Sequence, residues 1–299
     1  MRVVNGRSTS GLMRGSRFWN TLCLAGALAV PAIAEGLDTS RVPGTPPARV
    51  VSMNLCTDQL AMMVAAPGQL HSVSYLAFDP RGSAMAKEAK NYQINRGLAE
   101  EIYLMQPDLV IAGSFSTRAT VDMLKRLGIP VAVFNPAYGL DEVRDRLREM
   151  GHVLGREDAA QALIDDFDTR LDVLRAESGK RPSAALYYAN GYTSGDRTLA
   201  GQILFAAGFE NAAVEAGFAS GGILPLEVLA MLEPDALITG RRYPGASRSE
   251  EILDHPIVQA LREDSASGTI TDRDWVCGTP FVLRAIEGLS RVRRDMLAD

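Results

Sequence analysis

The sequence predicts an α/β protein of two similar α/β lobes joined by a long rigid helix, with a ligand cleft between the lobes. Three observations carry that expectation. The stretches Glu100 to Gly113 and Glu227 to Gly240 share Glu, Pro, Asp, Ile and Gly at matching places, so one unit occurs twice. Short apolar runs alternate along the chain with segments of helical periodicity, the pattern of helices layered on parallel sheet. Between the two copies, Glu157 to Ser178 contains neither Gly nor Pro and spaces Leu163, Phe167, Leu171 and Leu174 along one helix face of about six turns. A cleft between two lobes is where small ligands usually bind.

The chain opens with Arg2, Arg7, Arg14 and Arg17, the apolar run Thr21 to Val30, and Ala32-Ile33-Ala34. This reads as a secretory signal peptide over residues 1–34, cleaved near Ala34 and directing the protein to the periplasm. The run is shorter than the ~20 residues of a membrane span, and Cys23 lies inside it without a lipobox, so the mature chain is expected neither to insert into a membrane nor to carry a lipid anchor. Residues 35–48, with Pro43-Gly44-Thr45-Pro46-Pro47, read as a flexible leader. Losing four arginines and no acids takes the formal charge from −5 to −9, which argues against nucleic acid as a partner.

The N-terminal lobe, 49–140, begins with a strand over Arg49 to Met53, the loop Asn54-Leu55-Cys56-Thr57, and a helix from Asp58 to Ala66 capped by Thr57. A loop between a strand's carboxyl end and a helix N-terminus is the ligand-facing position of an open α/β sheet. Further strands are expected at 108–112 and 131–134. A helical linker, 141–179, contains the long bridging helix. The C-terminal lobe, 180–299, adds strands at 184–188 and 236–239 and closes with an amphipathic helix from Pro280 to Leu297. Each copy of the repeat reads as a short helix with an acid in its first turn, stopped at Pro-Asp, then a buried strand ending in Gly.

Several motifs, in this order, resemble the periplasmic binding proteins of the iron-siderophore and cobalamin uptake family. They are Arg49-Val50-Val51-Ser52-Met53-Asn54, the two repeats, Gly128-Ile129-Pro130-Val131, Thr193-Ser194-Gly195 ahead of a helix, and Asp274-Trp275. The resemblance runs from about Arg49 to the C-terminus. It implies a monomer with no intrinsic cofactor that holds a metal chelate between its lobes and delivers it to the permease of an ABC importer. The chelate would be a cobalamin or other corrinoid, a ferric siderophore or, alternatively, haem. The resemblance also implies that one Glu on each lobe docks into Arg-containing pockets of the permease, and these acids fall on Glu100 and Glu227. A simpler reading stands beside it: a first-turn Glu complements the helix dipole for ~0.3 to 1 kcal/mol without any partner.

Cleft candidates on the first lobe are Asn54, Cys56, Tyr75, Phe78, Tyr92, Ser114 and Phe115; those on the second are Tyr188, Tyr192, Arg241, Arg242, Tyr243, Trp275 and Cys277. Aromatic rings give a large conjugated ligand wide contact at low entropic cost, and the resemblance puts ligand-contacting aromatics near Tyr92 and Trp275. Arg241 and Arg242 would pair with ligand carboxylates, or form a solvated surface pair. After signal cleavage Cys56 and Cys277 are the remaining cysteines. Three readings are open: a disulfide tying the lobes across the cleft mouth, a thiol facing the ligand as a soft contact to its metal, or two inert thiols.

Catalysis finds little support. The chain has only His71, His152 and His255, no Walker loop and no Cys-x-x-Cys, and Gly191 to Gly195 places its Ser one position too late for a nucleophile elbow. No catalytic residue and no resident metal site is expected. An envelope enzyme or a sensor module on the same fold is the competing class.

Overall fold

The computed structural model describes residues 45–176, 179–242, 245 and 247–298. The expected signal segment, most of the leader and Tyr243 lie outside the described residues. The first half forms β1 (Val50–Ser52), α1 (Leu55–Val64), β2 (Leu70–Ser74), β3 (Gln93–Asn95), α2 (Ala99–Leu104), β4 (Leu109–Gly113), α3 (Arg118–Arg126) and β5 (Val131–Phe134). Two long helices follow, α4 (Leu140–Leu154) and α5 (Glu157–Ala176). The second half runs β6 (Ser183–Tyr187), β7 (Tyr192–Thr193), α6 (Leu199–Ala206), β8 (Glu210–Asn211), α7 (Ala212–Glu215), β9 (Gly222–Ile223), α8 (Leu226–Leu232) and β10 (Ala236–Gly240). It ends with α9 (Pro256–Asp264), β11 (Ala266–Ile270), α10 (Asp272–Trp275) and α11 (Val282–Ala298).

One sheet has the order β3-β2-β1-β4-β5 and the other β11-β10-β6-β8, with all pairings parallel; β7 and β9 make a small antiparallel ribbon. Aligning β2-β1-β4-β5 with β8-β6-β10-β11 gives the same strand order, so the duplication covers whole sheets and not only the repeated motif. Both faces of each sheet are covered, which is why the central strands β1, β4, β6 and β10 are dominated by apolar residues. On the first sheet, Val50, Leu109 and Ile111 pack under α1, α4 and α5, while their neighbours Val51, Val110 and Ala112 pack under α2 and α3. On the second, Ala184, Leu186, Ala236 and Ile238 face α4, α5, α6 and α11, and Ala185, Tyr187 and Leu237 face α7, α8 and α9.

The lobes are joined by more than the expected helix. Along α5, Ala160 and Ile164 belong to the first core and Phe167 and Leu171 to the second. Helix α4 runs the other way: Leu140 and Val143 lie in the second core, and Leu147, Met150, Val153 and Leu154 in the first. Two antiparallel helices therefore each bury one end in each lobe. Their close approach requires Gly151, where a Cβ would come within 2.6 Å of the Ala160 Cβ.

The repeated Pro-Asp has a local cause that is the same in both copies. Helices α2 and α8 are followed by left-handed residues at equivalent places, Gln106 (φ 51°) and Glu233 (φ 40°), each directly before the proline. Such conformations cost of order 1–3 kcal/mol and need support. The aspartate supplies it by holding the start of the neighbouring strand. Asp108 accepts from the backbone N–H groups of Ala48 (2.7 Å) and Arg49 (2.9 Å), and Asp235 from the N–H (2.7 Å) and hydroxyl (3.0 Å) of Ser183.

Candidate ligand cleft

In a parallel sheet all carboxyl ends share one edge. The chain leaving β1, β2, β4 and β5 sets Asn54 with Cys56, Tyr75, Ser114 with Phe115, and Tyr138 along the edge of the first sheet. The chain leaving β6, β10 and β11 sets Tyr188, Arg241, and Trp275 with Cys277 along the edge of the second. A covalent bond and a backbone hydrogen bond are among the links that join these edges. Cys56 and Cys277 form a disulfide with a Cα–Cα separation of 4.8 Å, inside the usual span of such bridges, and the Arg273 N–H donates to the Arg81 carbonyl at 3.1 Å.

Local folding positions both cysteines. Asn54 caps α1 by accepting from the Cys56 N–H at 3.0 Å, which fixes Cys56 in the first turn. Thr57, expected as the cap, instead lies inside the helix and donates its hydroxyl to the Asn54 carbonyl, because only Met53 and Asn54 separate β1 from α1 where a four-residue loop was expected. Asn54 has room because position 113 is glycine: a Cβ there would lie 2.8 Å from the Asn54 Cγ. Cys277 is followed by Gly278, whose φ of 54° and close approach to Ala137 exclude a side chain. That packing brings the loop after α10 against the segment between β5 and α4.

Behind Cys56, Asp58 is fully buried and accepts from both the N–H (3.1 Å) and the hydroxyl (2.5 Å) of Ser74, the residue before Tyr75. Burial pushes its carboxyl up to about 7, against the opposing pull of hydrogen bonds from Ser52 and Ser74. On the other wall, the rings of Tyr188 and Trp275 stack with centroids 5.7 Å apart and planes inclined by 11°. The Tyr188 hydroxyl, the Trp275 indole nitrogen and Asp274 Oδ1 are buried without a hydrogen-bond partner among the described residues. Burial, then the negative charge of Asp272 and the nearby Tyr192, hold the Tyr188 phenol far above its ordinary range.

The sequence-predicted residues divide accordingly. Tyr75, Phe115 and Tyr192 are exposed aromatics at or beside the facing edges. Phe78 leans on the first core. Tyr92 stands before β3, at the opposite, amino end of that strand, and also packs on the first core, so its place is structural rather than in the cleft. Arg242 is committed to its own lobe through an ion pair with Asp254 at 2.8 Å, whereas Arg241 has no ion-pair partner among the described residues. Tyr138 was not anticipated; its signal was its position four residues after β5, where an exposed ring reaches the same edge. Glu100 and Glu227 are exposed on α2 and α8 and take no hydrogen bond or ion pair among the described residues.

The histidines have structural settings. His71 lies in β2 within 2.8 Å of the Arg49 guanidinium, and burial followed by that charge lowers its pKa. His152 sits in the last turn of α4, and His255 caps α9. Ser194 is buried, and its carbonyl holds the Asn211 side chain. Among the described residues no group of three His, Cys, Asp or Glu is disposed to hold a metal ion. A groove of about 270 Å³ lies between α4, α5 and α6, lined by Leu140, Arg175, Gln202 and Phe205 among others, and none of the edge residues enters it.

Comparison with known proteins agrees with this architecture. Residues 50–263 match the family model described as periplasmic binding protein. A cobalamin-binding protein of Halobacterium salinarum (strain ATCC 29341 / DSM 671 / R1) is 26% identical over 237 residues, covering 72% of this chain but 64% of the relative's own length. Among solved structures, the apo periplasmic heme-binding protein RhuT from Roseiflexus sp. RS-1 superposes with a TM-score of 0.67 at 21% identity, covering 83% of this chain and 98% of that one. The periplasmic vitamin B12 binding protein BtuF of Vibrio cholerae gives 0.62 at 18% identity, with 85% and 99% covered. With two duplicated parallel sheets, a helical bridge and a family match over most of its length, the chain belongs to the periplasmic binding protein family.

Proposed function

We propose that the mature protein is the substrate-binding subunit of an ABC importer, capturing a metal chelate between its lobes and handing it to a membrane permease. The observation that carries this reading is the meeting of the two carboxyl edges, each bearing exposed or half-buried aromatic rings and joined through Cys56 and Cys277. Tyr75, Phe115, Tyr138, Tyr192 and Trp275 supply flat contact area suited to a corrin, a porphyrin or an aromatic siderophore. Arg241 stands ready for a ligand carboxylate. No helix among the described residues is long and apolar enough to cross a membrane, in keeping with a protein released by cleavage near Ala34 into the periplasm. Residues 49–140 and 180–299 form the lobes in this reading, with 141–179 as the bridge. Glu100 and Glu227 dock into basic pockets of the permease.

The test is titration of the mature protein with cobalamin, haem and a panel of ferric siderophores, followed by intrinsic fluorescence and ligand absorption. Saturable one-to-one binding without chemical change to the ligand is expected for one class. Absence of binding across the panel, together with turnover of an ester or glycoside, would overturn the proposal.

A further inference from the structure

We propose that each docking point is an acid paired with an apolar side chain, Glu100 with Leu104 and Glu227 with Met231, and that its occupant is a permease offering two equivalent basic pockets with apolar rims. The inference rests on the docking role proposed above and adds the apolar half of each contact.

Leu104 and Met231 occupy the same position of the repeat, four residues after the glutamate. Side chains four apart on a helix lie on one face, so α2 and α8 each present a carboxylate and a large apolar group side by side. Leu104 is 79% and Met231 82% exposed, and with Phe115 they are the three most exposed large apolar side chains among the described residues. Ile102 and Leu229, on the inward face of the same helices, are fully buried. Solvent alone gives no reason for an apolar residue at the outward position in both copies. The pairs are also rigidly held: each helix ends at a left-handed residue within two positions of the apolar side chain, and the following aspartate pins the chain to the sheet.

The charge decides the occupant. Neither carboxylate takes an intramolecular hydrogen bond or ion pair among the described residues, and the chain is acidic overall, so a second copy would oppose acid to acid. A partner complementary at two equivalent places must bring two positive groups, each beside apolar surface.

The experiment measures binding of the full mature chain to the cognate permease complex in lipid nanodiscs at about 0.05 M and about 0.5 M salt, across which exposed charge pairs are progressively screened. The variants are Glu100→Ala/Glu227→Ala, Leu104→Ser/Met231→Ser, and the control Val173→Ser, an exposed apolar residue on α5. The Leu104/Met231 pair should lose about tenfold or more in affinity at both salts, as for a buried interface anchor, while the glutamate pair should lose binding chiefly at low salt. If the apolar variant binds within about twofold of wild type and the glutamate variant does not, the inference fails and the docking reading survives. If the glutamate variant binds normally, the docking reading itself fails. Sedimentation of wild-type protein supplies the last outcome: self-association abolished by Leu104→Ser/Met231→Ser would identify a second copy as the occupant and overturn the proposal.

Discussion

Breaking the Cys56–Cys277 bond should cost the mature protein a large part of its stability, and the structure sets the size of the effect. The bridged residues are 221 positions apart in sequence. Chain-entropy arguments assign about 4.7 kcal/mol to a closed loop of about 100 residues and only slightly more to a longer one, so roughly 5 kcal/mol is expected here. For a chain of this size, 1 kcal/mol shifts the melting midpoint by about 2–4 °C, which predicts a fall of about 10–20 °C on reduction. The assay is calorimetric melting of oxidised protein, of protein held in a phosphine reductant, and of the Cys56→Ser/Cys277→Ser double variant. Thiol counting on denatured, unreduced protein accompanies it. Zero free thiols and a lower midpoint in both reduced samples are expected. Two free thiols and coincident melting would show that the cysteines are unbonded in solution. Zero thiols with coincident melting would show that the lobes unfold independently, so that the closed loop no longer constrains the unfolding chain.

Three further outcomes follow from the cleft geometry. Trp275→Ala should weaken chelate binding by ~1–3 kcal/mol in calorimetric titration with little change in melting, since it removes half of the stack with Tyr188 but only part of a core contact. Tyr92→Ala should do the reverse, losing roughly 1–2 kcal/mol of stability while affinity stays within error, because its ring leans on the first core at the far edge of the sheet. For Asp58, the folded pKa is raised to about 7 from an ordinary 3.8, so the folded protein retains a proton that the unfolded chain gives up. Its stabilising contribution is therefore present below about pH 4 and is lost as pH rises toward about 7. Denaturant titrations of wild type and Asp58→Asn should show a stability difference that shifts against wild type across that window and levels off above it; a difference independent of pH would refute the shift.

The fold was legible in the sequence where packing forced a continuous apolar pattern. Strands β4, β6 and β10 are buried in the layers, and β5, a half-buried edge strand, is apolar at all four positions; all four were located within a residue, and the closing helix α11 follows its 3.6-residue period. Strands β2, β3 and β11 escaped because His71, Ser72 and Ser74, Gln93 and Asn95, and Ser267 to Thr269 interrupt any apolar run; β3 and β11 also lie at sheet edges, where one side needs no strand partner. The second bridging helix was hidden for a different reason. The apolar face of α4 is as regular as that of α5, but only the packing shows that it divides between two cores. At the carboxyl edges, position after a readable strand picks out Asn54, Cys56, Phe115 and Tyr188, whereas Trp275 and Tyr92 rest on the family resemblance alone, since β11 and β3 are not legible. Tyr92 stands apart from that edge because a three-residue strand too polar to read in the sequence begins just after it. Whether Arg241 and Arg242 were free or paired depended on Asp254, twelve residues on, which no local pattern reveals.

Equivalent positions in the two lobes separate what the duplication keeps from what it changes. Kept are the exposed glutamate, the outward apolar residue, the left-handed turn, the aspartate clamp and the glycine that ends the strand, at 113 and at 240. The change begins opposite those glycines. In the first lobe the missing Cβ of Gly113 makes room for Asn54, which caps α1 and so holds Cys56. In the second, a Cβ on Gly240 would meet the Tyr188 ring at an ordinary contact distance of 3.5 Å, and Tyr188 stacks on Trp275, two residues before Cys277. One topological place thus carries a helix cap on one wall and an aromatic stack on the other. In the proposed role, a ligand between the edges would meet two different surfaces, which suits a small molecule without two-fold symmetry. A permease reaching α2 and α8 would meet the same surface twice, which suits an assembly that has it. Selection on the two kinds of contact can proceed separately, because the residues that differ lie at the carboxyl edges, while the clamps that keep the lobes alike sit at the amino ends of β4 and β10.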